Sequence, residues 1–178
     1  MKNLIVGSTL ALGLLFGPFA QAEYQAISVG YAHIKLQQEK ALKGATLNYR
    51  YELNNEWGIL SSFTLAKGDR EENEEAYKAK FNYYSSMIGP TYRINEYISM
   101  YGQAGIASLK GKFTEEDDDS ATEQSNLSKS ALAWGTGFII NPVENFAVTI
   151  GYEGSHFNFN TEGKVSTNGF NIGFGYRF

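Results

Sequence analysis

Few residues in this chain carry the chemistry of a conventional active site. It holds two histidines, His33 and His156, and no cysteine. Ser155 precedes His156, but neighbouring side chains on a strand leave opposite faces and cannot work as nucleophile and base. The His/Cys spacing of a metal site, a glycine-rich phosphate loop after a strand and a G-x-S-x-G turn are all missing from the sequence. Gly173-Phe174-Gly175 reads as a glycine pair within a strand, not a nucleotide loop. No catalytic residue, cofactor or metal is expected. What stands out is charge. Arg50, Glu52, Arg93, Glu153 and Arg177, with Gln103, fall on one face of alternating segments. Guanidiniums gathered with carboxylates there predict a paired polar network.

Two further clusters are acidic: Asp69, Glu71, Glu72, Glu74 and Glu75, then Glu115, Glu116, Asp117, Asp118 and Asp119. Such runs read as solvated tips, or as surfaces for a basic partner or divalent cations. The second run lacks the alternating ligand positions and central glycine of a calcium loop. Lys35, Lys40 and Lys43 form a basic counterpart able to meet phosphates.

The elements that must position these groups are strands. From Phe170 to the end, Phe170, Ile172, Phe174, Tyr176 and Phe178 alternate with Asn171, Gly173, Gly175 and Arg177. A side-chain period of two gives one greasy face and one small, polar face, which suits lipid outside and a narrow polar interior inside. Seven earlier segments repeat the pattern: Tyr24 to Leu36, Gly44 to Leu53, Trp57 to Lys67, Tyr77 to Ile94, Tyr97 to Phe113, Ser130 to Ile140 and Phe146 to Phe157. With Val165 to Phe178 they make eight, an even number that lets an antiparallel sheet close. Connections alternate between short (Asn54 to Glu56, Asn95-Glu96, Asn141 to Asn145) and long (37–43, 68–76, 114–129, 158–164). That pattern predicts an all-β, eight-stranded antiparallel transmembrane barrel with periplasmic termini and extracellular loops. A lipocalin-like soluble barrel would place its apolar residues inside instead. Eight strands leave an interior just wide enough to be filled by side chains, here polar ones.

The first 22 residues read as an export signal: Lys2, the apolar stretch Leu4 to Phe16, and Ala20-Gln21-Ala22 as a small-x-small cleavage site. That stretch is too short to span a bilayer as a helix. Residues 23–178 then form one domain in which 14 basic residues face 19 acidic ones, a balance that argues against a nucleic-acid partner. An outer-membrane protease, or an acyltransferase or other lipid-modifying enzyme, is the enzymatic alternative. It would need Asp69 or Ser155 brought to a histidine at the rim.

Several motifs carry a resemblance: Gly89-Pro90-Thr91-Tyr92-Arg93-Ile94-Asn95, Tyr101-Gly102, Asn141-Pro142-Val143-Glu144-Asn145, Gly151-Tyr152-Glu153 and Gly173-Phe174-Gly175-Tyr176-Arg177-Phe178. They resemble the Ail/Lom family of enterobacterial outer-membrane proteins over nearly the whole chain after the signal. The resemblance implies an eight-stranded barrel whose strands run past the membrane. It also implies roles in attachment to host cells or matrix, invasion and resistance to serum complement. The expected partners are outer-membrane lipid and lipopolysaccharide (through Lys35, Lys40 and Lys43), and host matrix or complement-regulator proteins at the loops. The barrel-assembly machinery is expected to read Phe174, Tyr176 and Phe178 in the last strand. The alternative role is a monomeric structural or envelope-stress barrel packed against lipopolysaccharide, with no host ligand.

Overall fold

The computed structural model describes residues 24–36, 41–71, 77–115, 124–159 and 163–178. The expected signal, residues 1–22, lies outside them. Eight strands follow in order: β1 (Tyr24–Leu36), β2 (Leu42–Glu52), β3 (Trp57–Glu71), β4 (Tyr77–Arg93), β5 (Ile98–Glu115), β6 (Gln124–Ile140), β7 (Phe146–Phe159) and β8 (Gly163–Arg177). Each runs antiparallel to its neighbours. β1 pairs with β8 from Ala26↔Arg177 to Leu36↔Thr167, so the sheet closes into a barrel.

The two faces sort as the alternation requires. Val29, Ile88 and Phe174 are 64%, 58% and 57% exposed, as an apolar wall facing lipid must be in the absence of lipid, while inward Thr64, Ser85 and Thr149 are at most 2% exposed. Two periplasmic turns share one device. Asn54 Oδ1 accepts from the backbone N–H groups of Glu56 and Trp57, and Asn95 Oδ1 accepts from those of Tyr97 and Ile98. The side chain thus supplies the acceptor that the reversing backbone lacks.

Six strands run further outward than the alternation predicted. β2 begins at Leu42 instead of Gly44, β3 continues past Lys67 to Glu71, β5 past Phe113 to Glu115 and β7 past Phe157 to Phe159, β6 begins at Gln124 instead of Ser130, and β8 begins at Gly163 instead of Val165. The expected loops at 68–76 and 114–129 are accordingly shorter. The reason is a reversal of polarity. Along β1, Tyr31 is the last apolar outward residue; beyond it His33 and Lys35 face out while Ile34 and Leu36 are buried inside. The same handover falls between Ala45 and Lys43, Leu65 and Lys67, Tyr84 and Asn82, Ile106 and Ser108, Leu132 and Ser130, and Phe170 and Asn168. Outside this line the wall faces water, so the apolar residues turn inward as in a soluble barrel. On β3 the outward apolar band from Trp57 to Leu65 spans nine residues, matching the roughly nine to eleven a tilted strand needs to cross a bilayer.

The filled interior is therefore layered. Its outer end is an apolar cluster of Ile34, Leu36, Leu42, Tyr83, Met87, Leu109 and Phe157, a packed core where the alternation suggested a polar lumen throughout. Below it, Tyr101 lies along the inner wall over its neighbours Gly137 of β6 and Gly151 of β7; a Cβ on Gly151 would collide with the Tyr101 hydroxyl.

Candidate functional site

The outer rim carries two bands of charge. The lower is basic and lies just outside the polarity line. His33 stands opposite Lys43, Lys43 opposite Lys67, Lys67 opposite Asn82, and Asn82 opposite Lys110. Lys35, Lys43, Lys67, Lys80 and Lys110 are all exposed, and Lys110 also sits 5.6 Å over the Tyr84 ring. Like charges directly opposite across a strand pair, as at Lys43 and Lys67, destabilise a sheet unless an anion offsets them. Of the three lysines expected to meet phosphate, Lys35 and Lys43 belong to this band. Lys67, Lys80 and Lys110 join it from segments where the alternation alone gave no hint of a shared row. Lys40 lies outside the described residues.

Beyond it the described ladders mix both signs, Asp69, Glu71 and Glu115 with Arg70, Lys78, Lys80 and Lys112. Asp69 and Glu71 prolong β3, opposite Lys80 and Lys78, and Glu115 ends β5 opposite Tyr77, so these residues belong to ladders instead of loops. Glu72, Glu74, Glu75, Glu116, Asp117, Asp118 and Asp119 lie outside the described residues. The two hairpins outrun their neighbours. β6 pairs with β7 only as far as Ala133↔Ser155, yet with β5 out to Thr114↔Gln124. β3 pairs with β2 only as far as Lys43↔Lys67. Among the described residues, Gln124 to Leu132 of β6 and Gly68 to Glu71 of β3 thus each have one backbone edge without a ladder partner.

The lumen holds two separate polar centres. At the periplasmic end Glu52, 1% exposed, receives Arg177 through Nε to Oε1 at 2.9 Å and Nη2 to Oε2 at 2.7 Å. Arg93 donates to the same Oε2, and Arg50 Nη1 lies 3.4 Å from Oε1. The register explains the gathering: Ala26 is the small neighbour of both Arg50 and Arg177, leaving room for their side chains to reach Glu52. Arg177 also lies 3.8 Å over the Tyr24 ring, and Arg50 Nη2 donates to Ser99 Oγ at 3.0 Å.

Glu153 does not join this network, contrary to expectation. Its cross-strand neighbours are Gly135 and Gly169, so its side chain has space to cross to β3 and β4. There it accepts from Thr64 Oγ1 at 3.0 Å, Tyr83 Oη at 2.9 Å and Ser85 Oγ at 3.1 Å. Three hydroxyls stabilise the carboxylate where the expected partner was arginine. The sequence signal for this cage was weak, since inward Thr and Ser are common in any barrel strand.

Neither Ser155 nor Asp69 is brought to a histidine as the enzymatic alternative requires. His33 stacks on Phe170 with ring centroids 5.1 Å apart and has the exposed Tyr31 hydroxyl 3.5 Å from Nδ1, while the Ser155 hydroxyl bonds Thr167 inside the barrel and His156 faces out.

The model of the enterobacterial Ail/Lom proteins matches residues 2–178. The chain belongs to the Ail/Lom family. It is an outer-membrane β-barrel, in keeping with relatives that bear that location in their name. This Ail/Lom protein is 39% identical to virulence membrane protein PagC of Salmonella typhimurium, over the full length of both chains. It is 33% identical to outer membrane protein X of Enterobacter cloacae, again over all of both. The crystal structure of Ail, the attachment invasion locus protein of Yersinia pestis, superposes with a TM-score of 0.76 at 35% identity, covering 89% of this chain and 100% of that one. Ail has also been solved in complex with the heparin analogue sucrose octasulfate.

Proposed function

We propose that this Ail/Lom protein is a virulence-associated surface factor that attaches the bacterium to host cells or matrix, with invasion and serum resistance following from that attachment. The unequal reach of the strands carries this reading. The β3–β4 and β5–β6 hairpins stand beyond the rest of the barrel, and among the described residues β6 offers seven residues of backbone without a second ladder partner outside the polarity line, Gln124 to Ser130. Such an edge cannot lie in hydrocarbon, where every peptide group must be satisfied internally. In water it accepts an extended segment of another protein as an added strand. The acidic hairpin ends give that partner a charge to match. The names of the relatives, virulence membrane protein and attachment invasion locus protein, support the same role.

A second reading draws on the basic band, where the row from Lys43 to Lys110 suits a polyanion. Its height just outside the lipid favours the phosphates of lipopolysaccharide, and the heparin analogue bound to Ail favours a sulfated matrix polysaccharide. Phe174, Tyr176 and Phe178, exposed at the closing strand, are the side chains proposed to be read by the barrel-assembly machinery. The chain is proposed to act as a monomer and to have no catalytic role.

Trimming both hairpins back to Lys67↔Asn82 and Lys110↔Ser128, each with a two-residue turn, tests the edge. Cells carrying the trimmed protein should keep it folded in the outer membrane and lose binding to matrix and complement-regulator proteins. Full retention of binding would discard the edge. Replacing Lys43, Lys67 and Lys110 by Gln, with binding of heparin and of lipopolysaccharide measured separately, tells the two polyanions apart.

A further inference from the structure

The basic row just outside the polarity line has one member whose charge is conditional. His33 of β1 stands directly opposite Lys43 of β2, which stands directly opposite Lys67 of β3. Neighbouring strands lie about 4.8 Å apart, so an imidazole and two ammonium side chains stand abreast on three consecutive strands. Lysine keeps its charge over the whole physiological range, whereas histidine gains its charge as pH falls from about 8 to about 5.

The surroundings of this imidazole are short of negative charge. Its neighbours on the outward face are Tyr31 and Lys35 along β1, Lys43 on β2, and Phe170 and Asn168 on β8. Lys35 and Lys43 are the charged groups that face it, and among the described residues no carboxylate pairs with it. The Phe170 ring stacks on it at 5.1 Å, and an aromatic face favours a cation against it. The Tyr31 hydroxyl, 3.5 Å from Nδ1, serves either ring state, since a hydroxyl both donates and accepts. The imidazole is half-buried and the lysines beside it are exposed. An imidazolium there adds to the repulsion already present between Lys43 and Lys67. A polyanion lying along the row offsets that repulsion.

We propose that His33 is a pH-dependent contact for sulfate esters: as an imidazolium it joins the lysine row under mildly acidic conditions and tightens the hold on a sulfated polysaccharide. This rests on the reading of the row as a polyanion site. Proton and polyanion are then linked, and each strengthens the binding of the other. Sulfate is the chemistry that shows the effect in full. A sulfate ester stays ionised throughout, whereas a phosphate monoester gives up part of its second charge around pH 6, which works against the gain at His33.

The test uses the full mature barrel in a nonionic detergent at constant ionic strength, with dextran sulfate as the probe. From about pH 7.5 to about pH 5.5 the affinity should rise roughly three- to fivefold, the effect of one added cation facing an anionic surface. His33→Gln should keep the weaker affinity at both pH values, and His33→Lys the tighter one. His156→Gln, at the other rim histidine, should leave the rise intact. Inositol hexakisphosphate, a phosphate monoester probe, should show a smaller rise, and an equal rise with both probes overturns the assignment to sulfate. A rise that persists in His33→Gln, or wild-type binding that ignores pH, overturns the role of His33 and leaves the lysine row standing as a polyanion site. Failure of the wild type to bind dextran sulfate at either pH removes the row itself.

Discussion

Glu52 and Glu153 are buried in one lumen, yet different chemistry keeps each of them there. Glu52 is surrounded by arginines, so removing it leaves three guanidiniums without their anion. Glu153 is held by the hydroxyls of Thr64, Tyr83 and Ser85, and each of these can turn to another acceptor when the carboxylate changes. Glu52→Ala should therefore destabilise the barrel by about 3–5 kcal/mol, the usual cost of breaking a buried ion pair from one side. Glu153→Gln should cost about 1–2 kcal/mol, since an amide oxygen still accepts from two of the hydroxyls. Urea titration of both variants folded in lipid vesicles checks the order; equal losses would mean that Glu153 also answers to the arginines. The residue types that make these centres were legible in the sequence, because alternation places each of them inward. Their division into two centres was not. It depends on which strands face each other across the lumen, and on Gly135 and Gly169 opening a path for Glu153.

Among the elements, the periplasmic turns and the outer hairpins show opposite limits of reading a strand from its side chains. Asn54 and Asn95 lie in short polar breaks between alternating segments, and each bonds two backbone N–H groups of the next strand. Asn95→Ala should lose both bonds and cost about 1–2 kcal/mol in the same urea titration. Asn95→Asp, which keeps the acceptor, should retain most of the stability, and equal effects of the two would show that the turn does not depend on the side-chain oxygen. At the outer hairpins the alternation that marks the lipid-facing band is lost, because the outward positions there turn polar. Strand structure persists there through backbone pairing, which Asp69↔Lys80 and Thr114↔Gln124 record and which no hydropathy pattern reports.

At the scale of the whole molecule, the reversal of polarity fixes how deep the barrel sits. Ile150 faces outward well below the line and Asn82 faces outward just above it. Arginine at Ile150 should cost about 2–4 kcal/mol, as charges near the bilayer midplane do, whereas Asn82→Arg should change stability by less than about 1 kcal/mol. Folding both variants into vesicles and measuring urea midpoints checks the depth. A heavy cost at Asn82 would raise the lipid boundary onto the lysine row and remove that row from water. The layered interior fits the same depth. An apolar plug closes the outer end where water lies on every side, and ion-paired groups occupy the end that opens to the periplasm.

By itself the sequence determined the number of strands, their order, which face of each meets lipid and which residues point into the lumen. These follow from a period of two and from short polar breaks, and both are local properties of a chain. Only the tertiary structure decided that Glu153 stands apart from the arginines, that arginines from β2, β4 and β8 share Glu52, and that lysines from β2, β3 and β5 share one row. It also decided that β6 runs on past its neighbour β7 and leaves an edge. The first two depend on strands that meet across the closed lumen, and the last two on how far consecutive strands run and in what register. Neither closure nor pairing length is carried by the side-chain alternation of a single stretch.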